Sequence, residues 1–272
     1  MFKILQKTIR AGIVTRNYPH DAPRLPDAAR RTPEFDFAVW RDARNATAVC
    51  PTAAIALSDN GATRIVTVDY GRCIFCGECG SVGDPGVRLT SKFELAAGRR
   101  ADLILHAEYG LNPDGTHRRL KRENSAEIVG GQLKREISRV LGRSLSIRQV
   151  DAGSCNGCEL EIVALNNPIY DLERFGIHFV ASPRHADMLL VTGPITRNME
   201  LALRKTYNAT PDPKIVVAVG ACGISGGIFG INYATRGGVD AVVPVDLYIP
   251  GCPPRPEALL HGLLLALGRF TP

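Results

Sequence analysis

The chain has 272 residues, eight of which are cysteine, and its 33 basic and 27 acidic residues give a net charge of +6. This length is sufficient for two domains, each with its own hydrophobic core and without disulfide support. Eight cysteines without a secretory signal argue against an extracellular disulfide scaffold. They favour metal or redox chemistry in a reducing compartment, and we therefore expect a cytoplasmic protein.

The first predicted element is an amphipathic helix over residues 2–14. The first twenty residues are basic and contain no acid. Transit peptides share this composition, but no small-residue cleavage pattern follows a truly apolar region. The segment is therefore predicted to be a helix of the folded protein.

A β-hairpin is predicted over residues 54–69, where apolar and polar residues alternate on both sides of Asp59-Asn60-Gly61. Cysteines flank this hairpin, with Cys50 before it and three more directly after it. The first half of the chain therefore brings four thiols to the base of one hairpin.

A basic linker is predicted from residue 96 to residue 143, with a helix at Gln132–Leu141. Residues 99–148 contain eleven Lys or Arg and six Asp or Glu, so nearly the whole positive excess lies there. Charge alone is compatible with nucleic acid, anionic lipid or an acidic protein as a partner, and composition favours a solvated linker. Tyr109 is the single aromatic residue of this segment, which argues against nucleic-acid binding by base stacking.

The remainder of the chain alternates apolar runs with helical patterns. Strands are predicted at residues 146–150, 177–180, 188–193, 215–220 and 242–249, with helices at 155–174 and 256–269. Such a pattern is typical of a parallel sheet covered on both faces by helices. Ile215–Ile231 is uncharged but contains five glycines, so it is predicted to be a strand and a loop and not a membrane span.

The N-terminal cysteines keep half of a two-cluster ferredoxin pattern. Such ferredoxins carry two C-x2-C-x2-C-x3-C-P runs, in which the last cysteine of each run binds the other cluster. Trp40, Ala43, Ala46 and Gly83 stand where one complete ligand set belongs. The surviving set is Cys50, Cys73, Cys76 and Cys79, with Pro51 after the first of them. We therefore predict one 4Fe-4S cluster on these four thiols, with Trp40 and small residues filling the vacated site.

Zinc is the alternative at this site. A structural zinc ion takes four tetrahedral ligands, usually in two separated pairs. Three cysteines within seven residues, Cys73 to Cys79, crowd one side of a single ion and suit a cluster whose thiolates bind several irons.

The other cysteines follow three of the predicted strands, at the edge where functional groups of parallel sheets gather. They are Cys155 and Cys158 in a C-x2-C pair, Cys222 in Gly-Ala-Cys-Gly, and Cys252 in Gly-Cys-Pro-Pro. The glycines allow backbone amides to approach the sulfurs, as in a cluster-binding loop. A redox-active dithiol at the C-x2-C pair and four ordinary buried thiols are the alternatives, and both leave Cys222 and Cys252 without a role.

Four motifs resemble the small subunit of energy-converting, membrane-bound nickel-iron hydrogenases, including formate hydrogenlyase. They are GSCNGCELEI, SPRHADMLLVTG, GACGISGGIF and VDLYIPGCPPRPE, at residues 153–162, 182–193, 220–229 and 245–257. They also resemble, more distantly, the 20 kDa cluster-bearing subunit of NADH:quinone oxidoreductase, in which the first two cysteines are adjacent. The first hundred residues, with the opening MFKILQKTIRAGIVTRNYP, are similar to the start of the ferredoxin subunit of the same complexes.

The resemblance implies a flavodoxin-like, doubly wound α/β domain at residues 144–272, preceded by a small α+β ferredoxin-like module at 1–95 and the linker. It implies that Cys155, Cys158, Cys222 and Cys252 hold the proximal 4Fe-4S cluster, which gives two such clusters in the chain. Glu159, Glu161, Arg184 and His185 fall inside the motifs and are candidates for the interface with a large subunit, or else ordinary surface charges.

The predicted function is electron transfer, because the sequence contains no recognisable general base, nucleophile or open metal site for a substrate. The implied partners are a large catalytic subunit with a nickel-iron site, further ferredoxin-like subunits, and membrane subunits reached indirectly. The chain would then be peripheral on the inner face of the plasma membrane. A nickel-free quinone- or ferredoxin-linked complex is the first alternative, and a nucleic-acid-binding iron-sulfur sensor, which no recognition helix supports, is the second.

Overall fold

The computed structural model describes residues 2–21, 29, 31–124 and 144–268. Its N-terminal elements are helix α1 (Phe2–Ala11), strand β1 (Thr32–Phe35), helix α2 (Ala43–Ala48), strands β2 (Ile55–Asn60) and β3 (Thr63–Asp69), helix α3 (Glu78–Ser81), strand β4 (Val87–Thr90), a 3-10 helix (Arg100–Leu103), and strands β5 (Ile104–Leu111) and β6 (His117–Glu123). Strands β2, β3, β5 and β6 form an antiparallel sheet in that order, and β1 pairs with β4. The predicted helix at the N-terminus and the predicted hairpin are both present.

The interpretation of residues 96–143 as a linker is wrong for its first half. Strand β5 pairs with β3 over seven residues, and β6 continues the same sheet. The signal for β5 is the alternation of buried Leu105, Ala107 and Tyr109 with more exposed neighbours. Gly115, which suggests a linker by composition, has a positive φ in the turn between β5 and β6. Residues 125–143, including the predicted helix Gln132–Leu141, lie outside the described residues.

The C-terminal half begins with strand β7 (Leu145–Asp151) and helix α4 (Gly157–Ala164). Then come a 3-10 helix (Leu172–Phe175), strand β8 (Ile177–Phe179), a 3-10 helix (Pro183–His185), strand β9 (Met188–Thr192), helix α5 (Arg197–Ala209), strand β10 (Ile215–Val219), helix α6 (Gly220–Ser225), a 3-10 helix (Val239–Ala241), strand β11 (Leu247–Ile249) and helix α7 (Pro256–Ala266). The five strands are parallel, in the order β11-β10-β9-β7-β8. This order is that of flavodoxin-like sheets, so the predicted fold is confirmed.

Several predicted elements are shorter than expected: the N-terminal helix ends at Ala11 and not at residue 14, and two C-terminal elements lose about half their length or more. The helix predicted at 155–174 ends at Ala164, because the Asn167 side chain accepts hydrogen bonds from the Ile169 and Tyr170 amides and forms a turn before Pro168 can extend a helix. The strand predicted at 242–249 is limited to Leu247–Ile249, since Pro244 interrupts the apolar run.

The two modules pack against each other through one face of the parallel sheet. Leu189 and Val191 of β9 face a core shared with the N-terminal module, and Leu190 between them faces a second core covered by α7. Ala97 also forms an antiparallel bridge to Tyr248 at the edge of the sheet. The N-terminal module therefore serves as part of the cover of the flavodoxin-like sheet. No helix in the described ranges is long and apolar enough to cross a membrane.

Two candidate cluster sites

Cys50, Cys73, Cys76 and Cys79, called the N-terminal thiol set below, line a single cavity with apolar walls. Hydrogen bonds in the backbone place two of them: the Cys50 amide donates to Thr47 at the end of α2 (3.2 Å), and the Cys73 amide donates to Asp69 at the end of β3 (3.1 Å). Amide-to-sulfur contacts are also present, from Ala54 to Cys50 and from Phe75 to Cys73, both at 3.3 Å. The four cysteines that flank the hairpin in the sequence thus line one pocket.

Burial makes this pocket unfavourable for free thiolates. Together with the neighbouring thiols, it raises the pKa of Cys73 to about 12 and that of Cys79 to about 11. Amide donors, including Phe75 N–H for Cys73, oppose the shift. Without a positive charge these two groups are therefore neutral near pH 7, whereas iron ions among them would stabilise the thiolates. The donor set fits a cluster bound by four thiolates.

Three of the four positions of the missing ferredoxin ligands are occupied by packed side chains, and the fourth, Gly83, is exposed. Trp40 is 2% exposed, Ala43 and Ala46 are fully buried, and the Trp40 ring stacks on that of Phe35 at 5.2 Å between centroids. A Cβ atom at Gly86 would lie 2.4 Å from Trp40, so the chain approaches the indole as closely as a glycine allows. The described packing leaves this region occupied by protein atoms, as the sequence predicted for Trp40 and its small neighbours.

Cys155, Cys158, Cys222 and Cys252, the C-terminal thiol set, follow the carboxyl ends of β7, β10 and β11. The four thiols are close enough to influence one another electrostatically. Glycines make room for the sulfurs: a Cβ atom at Gly220 would lie 2.8 Å from Cys158 Sγ, and one at Gly227 would lie 2.8 Å from Cys222 Sγ. The Gly251 carbonyl accepts a hydrogen bond from the Ala221 amide at 2.8 Å, which joins the Cys252 loop to the start of α6.

Burial also raises the pKa of thiols in this second set, that of Cys222 to about 11 and that of Cys158 still further. The next cause for Cys158 is the carboxylate of Glu159. Glu159 accepts a hydrogen bond from the Thr192 hydroxyl at the end of β9, and its second oxygen, Oε2, is buried without a hydrogen-bond partner among the described residues. Each thiol set therefore contains two thiols whose burial calls for compensating positive charge, together with one exposed cysteine, Cys76 or Cys155. In the described parts of the chain, no three His, Cys, Asp or Glu side chains converge as they would around a single metal ion.

The four predicted interface residues lie at opposite ends of the parallel strands. Glu159 and Glu161 are on α4 beside the C-terminal thiol set, and burial raises the pKa of Glu161 while Arg255 opposes that shift. Arg184 and His185 lie in the 3-10 helix that precedes β9, at the amino end of that strand. Because the strands are parallel, these two residues lie away from the edge that carries the cysteines.

Arg255 and the contacts between the two thiol loops were not predicted as functional features. Arg255 stands directly before α7, three residues after Cys252, and its Nη1 atom is buried without a hydrogen-bond partner in the described residues. It lines a cavity of about 290 Å³ between the modules, together with Phe75 of the N-terminal loop and Glu161 of α4. The run Gly-Cys-Pro-Pro-Arg-Pro could have indicated a cation beside the C-terminal thiol set.

Known proteins resemble the C-terminal half. Residues 155–266 match the family of the 20 kDa subunit of NADH ubiquinone oxidoreductase. A probable membrane-bound hydrogenase subunit, mbhJ, of Pyrococcus furiosus is 52% identical over 136 residues, which are 50% of this chain and 81% of that protein. Formate hydrogenlyase subunit 7 of Escherichia coli K12 is 52% identical over 136 residues, 50% of this chain and 53% of that protein.

An NADH-quinone oxidoreductase subunit of Bacteroides thetaiotaomicron is 50% identical over 125 residues, 45% of this chain and 62% of that protein. The likeness of the first hundred residues to a ferredoxin subunit lies outside the matched family segment and stays a prediction. Three observations support the same family assignment: the flavodoxin-like sheet, the thiols at the carboxyl ends of its strands, and the high identity to mbhJ. The chain belongs to the family of the 20 kDa subunit of NADH:ubiquinone oxidoreductase, as predicted.

Proposed function

We propose that this chain is an electron-transfer subunit of a hydrogenase-type oxidoreductase complex. It would hold one 4Fe-4S cluster on Cys50, Cys73, Cys76 and Cys79 and a second on Cys155, Cys158, Cys222 and Cys252. When bound, such clusters accept and donate single electrons at a potential that hydrogen bonds, charge and solvent exposure set. The observation that carries the proposal is that the eight cysteines form two sets of four, each gathered around one place in the fold.

The chain's own residues would shape the two sites. The Phe75 and Ala54 amides point at sulfurs of the N-terminal thiol set, at 3.3 Å each. Amide donors of this kind stabilise the anionic sulfur and tune the potential of a bound cluster. Apolar walls, including Phe35 and Val68, exclude water from the same pocket. At the C-terminal thiol set, Gly220 and Gly227 leave space beside two of the sulfurs.

A large catalytic subunit is the proposed partner of the C-terminal thiol set. Four large apolar side chains are exposed in the loop that follows α6, which carries Cys222: Ile228, Phe229, Ile231 and Tyr233. Tyr233 is 92% exposed. An exposed apolar group beside a redox site is typical of a surface that a partner covers. The hydrogenase and hydrogenlyase names of two relatives support a nickel-iron partner.

The proposed location is peripheral, on the inner face of the plasma membrane, through partner subunits. One relative is called membrane-bound. Helix α1 supports attachment to another component of such a complex, because none of its residues is buried in this chain. Phe2, Leu5 and Ile9 share one side of it, at spacings of three and four residues, while its charged residues, Lys3, Lys7 and Arg10, share the other.

The experiment is anaerobic isolation of the complex through an affinity tag on this chain, followed by metal analysis. A hydrogenase-type assembly yields a co-purifying large subunit with nickel, and its iron-sulfur absorbance bleaches under hydrogen. The second candidate, a nickel-free quinone-linked complex, has the 50% identity to a quinone oxidoreductase subunit in its favour. It predicts a large subunit without nickel and no bleaching under hydrogen. A tagged chain that carries no iron and binds no large subunit contradicts both.

A further inference from the structure

The two candidate cluster loops touch each other directly. The hydroxyl of Ser225 lies 3.0 Å from the carbonyl oxygen of Gly71, to which it can donate a hydrogen bond. Gly71 is two residues before Cys73 of the N-terminal thiol set, and Ser225 is three residues after Cys222 of the C-terminal thiol set. The contact, called the Gly71–Ser225 contact below, therefore joins two segments that each carry a predicted ligand.

On the N-terminal side, the loop is held by Asp69. Its carboxylate accepts a hydrogen bond from the Gly71 amide (2.8 Å) and one from Arg100 (2.5 Å). Its carbonyl accepts from the amide of Cys73 at 3.1 Å. The position of Gly71 and that of Cys73 are thus set by the same short turn, so a displacement of one displaces the other.

The close approach depends on the lack of a side chain at Gly71. A Cβ atom there would lie 2.7 Å from Ile224 Cγ2 and 2.7 Å from Arg100 Cζ. Atoms at such distances overlap, so a larger residue has to displace the Ile224 side chain on α6 and the end of the Arg100 side chain. Glycine at this position therefore allows the turn and α6 to approach each other more closely than a residue with a side chain would.

On the C-terminal side, Ser225 fastens the end of α6. Its hydroxyl oxygen lies 3.0 Å from the Ala221 carbonyl and accepts a hydrogen bond from the Gly227 amide at 3.3 Å. Since a hydroxyl has one proton, the Gly71 and Ala221 carbonyls share it. Gly227 in turn lies against Cys222, so the serine connects the Gly71 carbonyl to the backbone that surrounds a predicted ligand.

A second fastening lies at the edge of the sheet. Ala97 and Tyr248 exchange two backbone hydrogen bonds, of 3.0 and 2.9 Å, and the modules share a core. These contacts hold the modules together as a whole, but they lie beside β11 and not between the cysteine loops. The Gly71–Ser225 contact, by contrast, joins the two cysteine-bearing segments directly.

We propose that the Gly71–Ser225 contact is a positioning element that fixes the separation of the two thiol sets. This inference rests on the proposed function, because the separation matters only if both sets bind redox centres. Electron transfer between two centres slows steeply with distance, so a chain that conducts electrons needs its sites held at a constant spacing. Ser225 and Gly71 are positioning residues, since neither is a predicted ligand.

The experiment compares Ser225→Ala with Ser225→Thr, which retains the hydroxyl, in the anaerobically purified full chain. The control is Ser81→Ala, because Ser81 donates within α3 to Glu78, next to Cys79, and lies away from the contact. Two readouts are used: the magnetic interaction between the two reduced clusters by electron paramagnetic resonance, and hydrogen exchange of residues 69–73. Both are independent of catalytic activity.

We expect Ser225→Ala to keep its iron, weaken the magnetic interaction and speed exchange of residues 69–73 about tenfold, as loss of one structural hydrogen bond implies. Ser225→Thr and Ser81→Ala should match the wild type. Gly71→Ala should change both readouts more than Ser225→Ala does. Wild-type interaction and wild-type exchange in Ser225→Ala would overturn the proposal. Four or fewer iron in the wild type would instead refute the proposed function, and the exchange measurement would still decide the role of the contact.

Discussion

The two thiol sets are built in opposite ways. The N-terminal set is mostly local: three of its cysteines lie at residues 73–79, in the loop and short helix α3 that follow one hairpin. The C-terminal set is assembled from residues 155–252, and its loops meet only because β7, β10 and β11 end at the same edge of a parallel sheet. One set needs a hairpin and two short helices, and the other needs the whole α/β domain.

The same ligand chemistry can therefore depend either on residues close together in the sequence or on contacts between distant parts of the chain. The N-terminal set is shaped by side chains that pack around it, such as Phe35 and Val68. The C-terminal set is shaped by missing side chains, at Gly220 and Gly227. We therefore expect the first set to be sensitive to loss of packing and the second to addition of atoms.

The largest expected effect comes from removal of one ligand from each set. Cys76→Ser should lower the iron content from about eight to about four per chain and leave the other cluster's spectrum unchanged, since each cluster needs four thiolates. Cys252→Ser should cause the same loss of iron but leave the spectrum of the N-terminal cluster unchanged. Iron analysis and electron paramagnetic resonance of the two variants check this. Loss of all the iron in either variant would show that the sets are not independent.

The next largest effect is expected at Gly220, where a substitution both strains the backbone and crowds a cysteine sulfur, and a control variant distinguishes the two causes. Gly220 has a φ of +78°, and Gly220→Ala also places a methyl group 2.8 Å from Cys158 Sγ. We expect loss of the C-terminal cluster alone, measured as iron per chain. Gly230→Ala is the matched control, because Gly230 has a φ of +60° and no atom within 4 Å of its added Cβ. Equal iron loss in both variants would mean that strain, and not crowding of the sulfur, is responsible.

A third prediction tests the packing of the vacated ferredoxin site. Trp40→Ala should lower the free energy of unfolding by about 3–5 kcal/mol, the usual cost of truncating a buried aromatic residue. The neighbouring Val39 is 47% exposed, so Val39→Ala should change it by less than about 0.5 kcal/mol. Denaturant unfolding under anaerobic conditions measures both. A small effect of Trp40→Ala would show that this region is not part of the core that supports the N-terminal set.

The smallest effect is expected in α1. Leu5 and Ile9 are 57% and 73% exposed, so Leu5→Gln combined with Ile9→Gln should change the free energy of unfolding of the isolated chain by less than about 0.5 kcal/mol. The same double variant should reduce recovery of the assembled complex, if α1 attaches to another component. Pull-down yield of the tagged chain measures that second effect. Marked destabilisation of the isolated chain would show that α1 packs within its own subunit.

Much of the fold was predictable because its signals are local or periodic. The apolar runs of β9 and β10, buried at every position, indicate a parallel sheet directly. The hairpin followed from Asp59-Asn60-Gly61. Strands β5 and β6 were missed because the segment is rich in charge: β6 contains Arg118, Arg119, Lys121 and Arg122, a composition typical of linkers. Among the described strands β6 pairs only with β5, so it is an edge strand. Edge strands tolerate such charge.

The grouping of the cysteines could also be predicted, since ferredoxin spacing and strand ends are both visible in the sequence. The contact of Gly71 with Ser225 could not, because it joins residues 154 positions apart. Likewise, the separation of Arg184 from Glu159 depends on which end of β9 each lies near. Sequence motifs indicate which residues are used, but the strand order decides which of them meet.

The most direct test of the account is an iron, sulfide and zinc count on the anaerobically purified full chain, together with resonance spectra of the reduced protein. Two clusters on eight thiolates predict about eight iron and about eight sulfide per chain, no stoichiometric zinc, and two distinguishable cluster signals. A colourless chain, a chain with stoichiometric zinc, or one with four or fewer iron would contradict it.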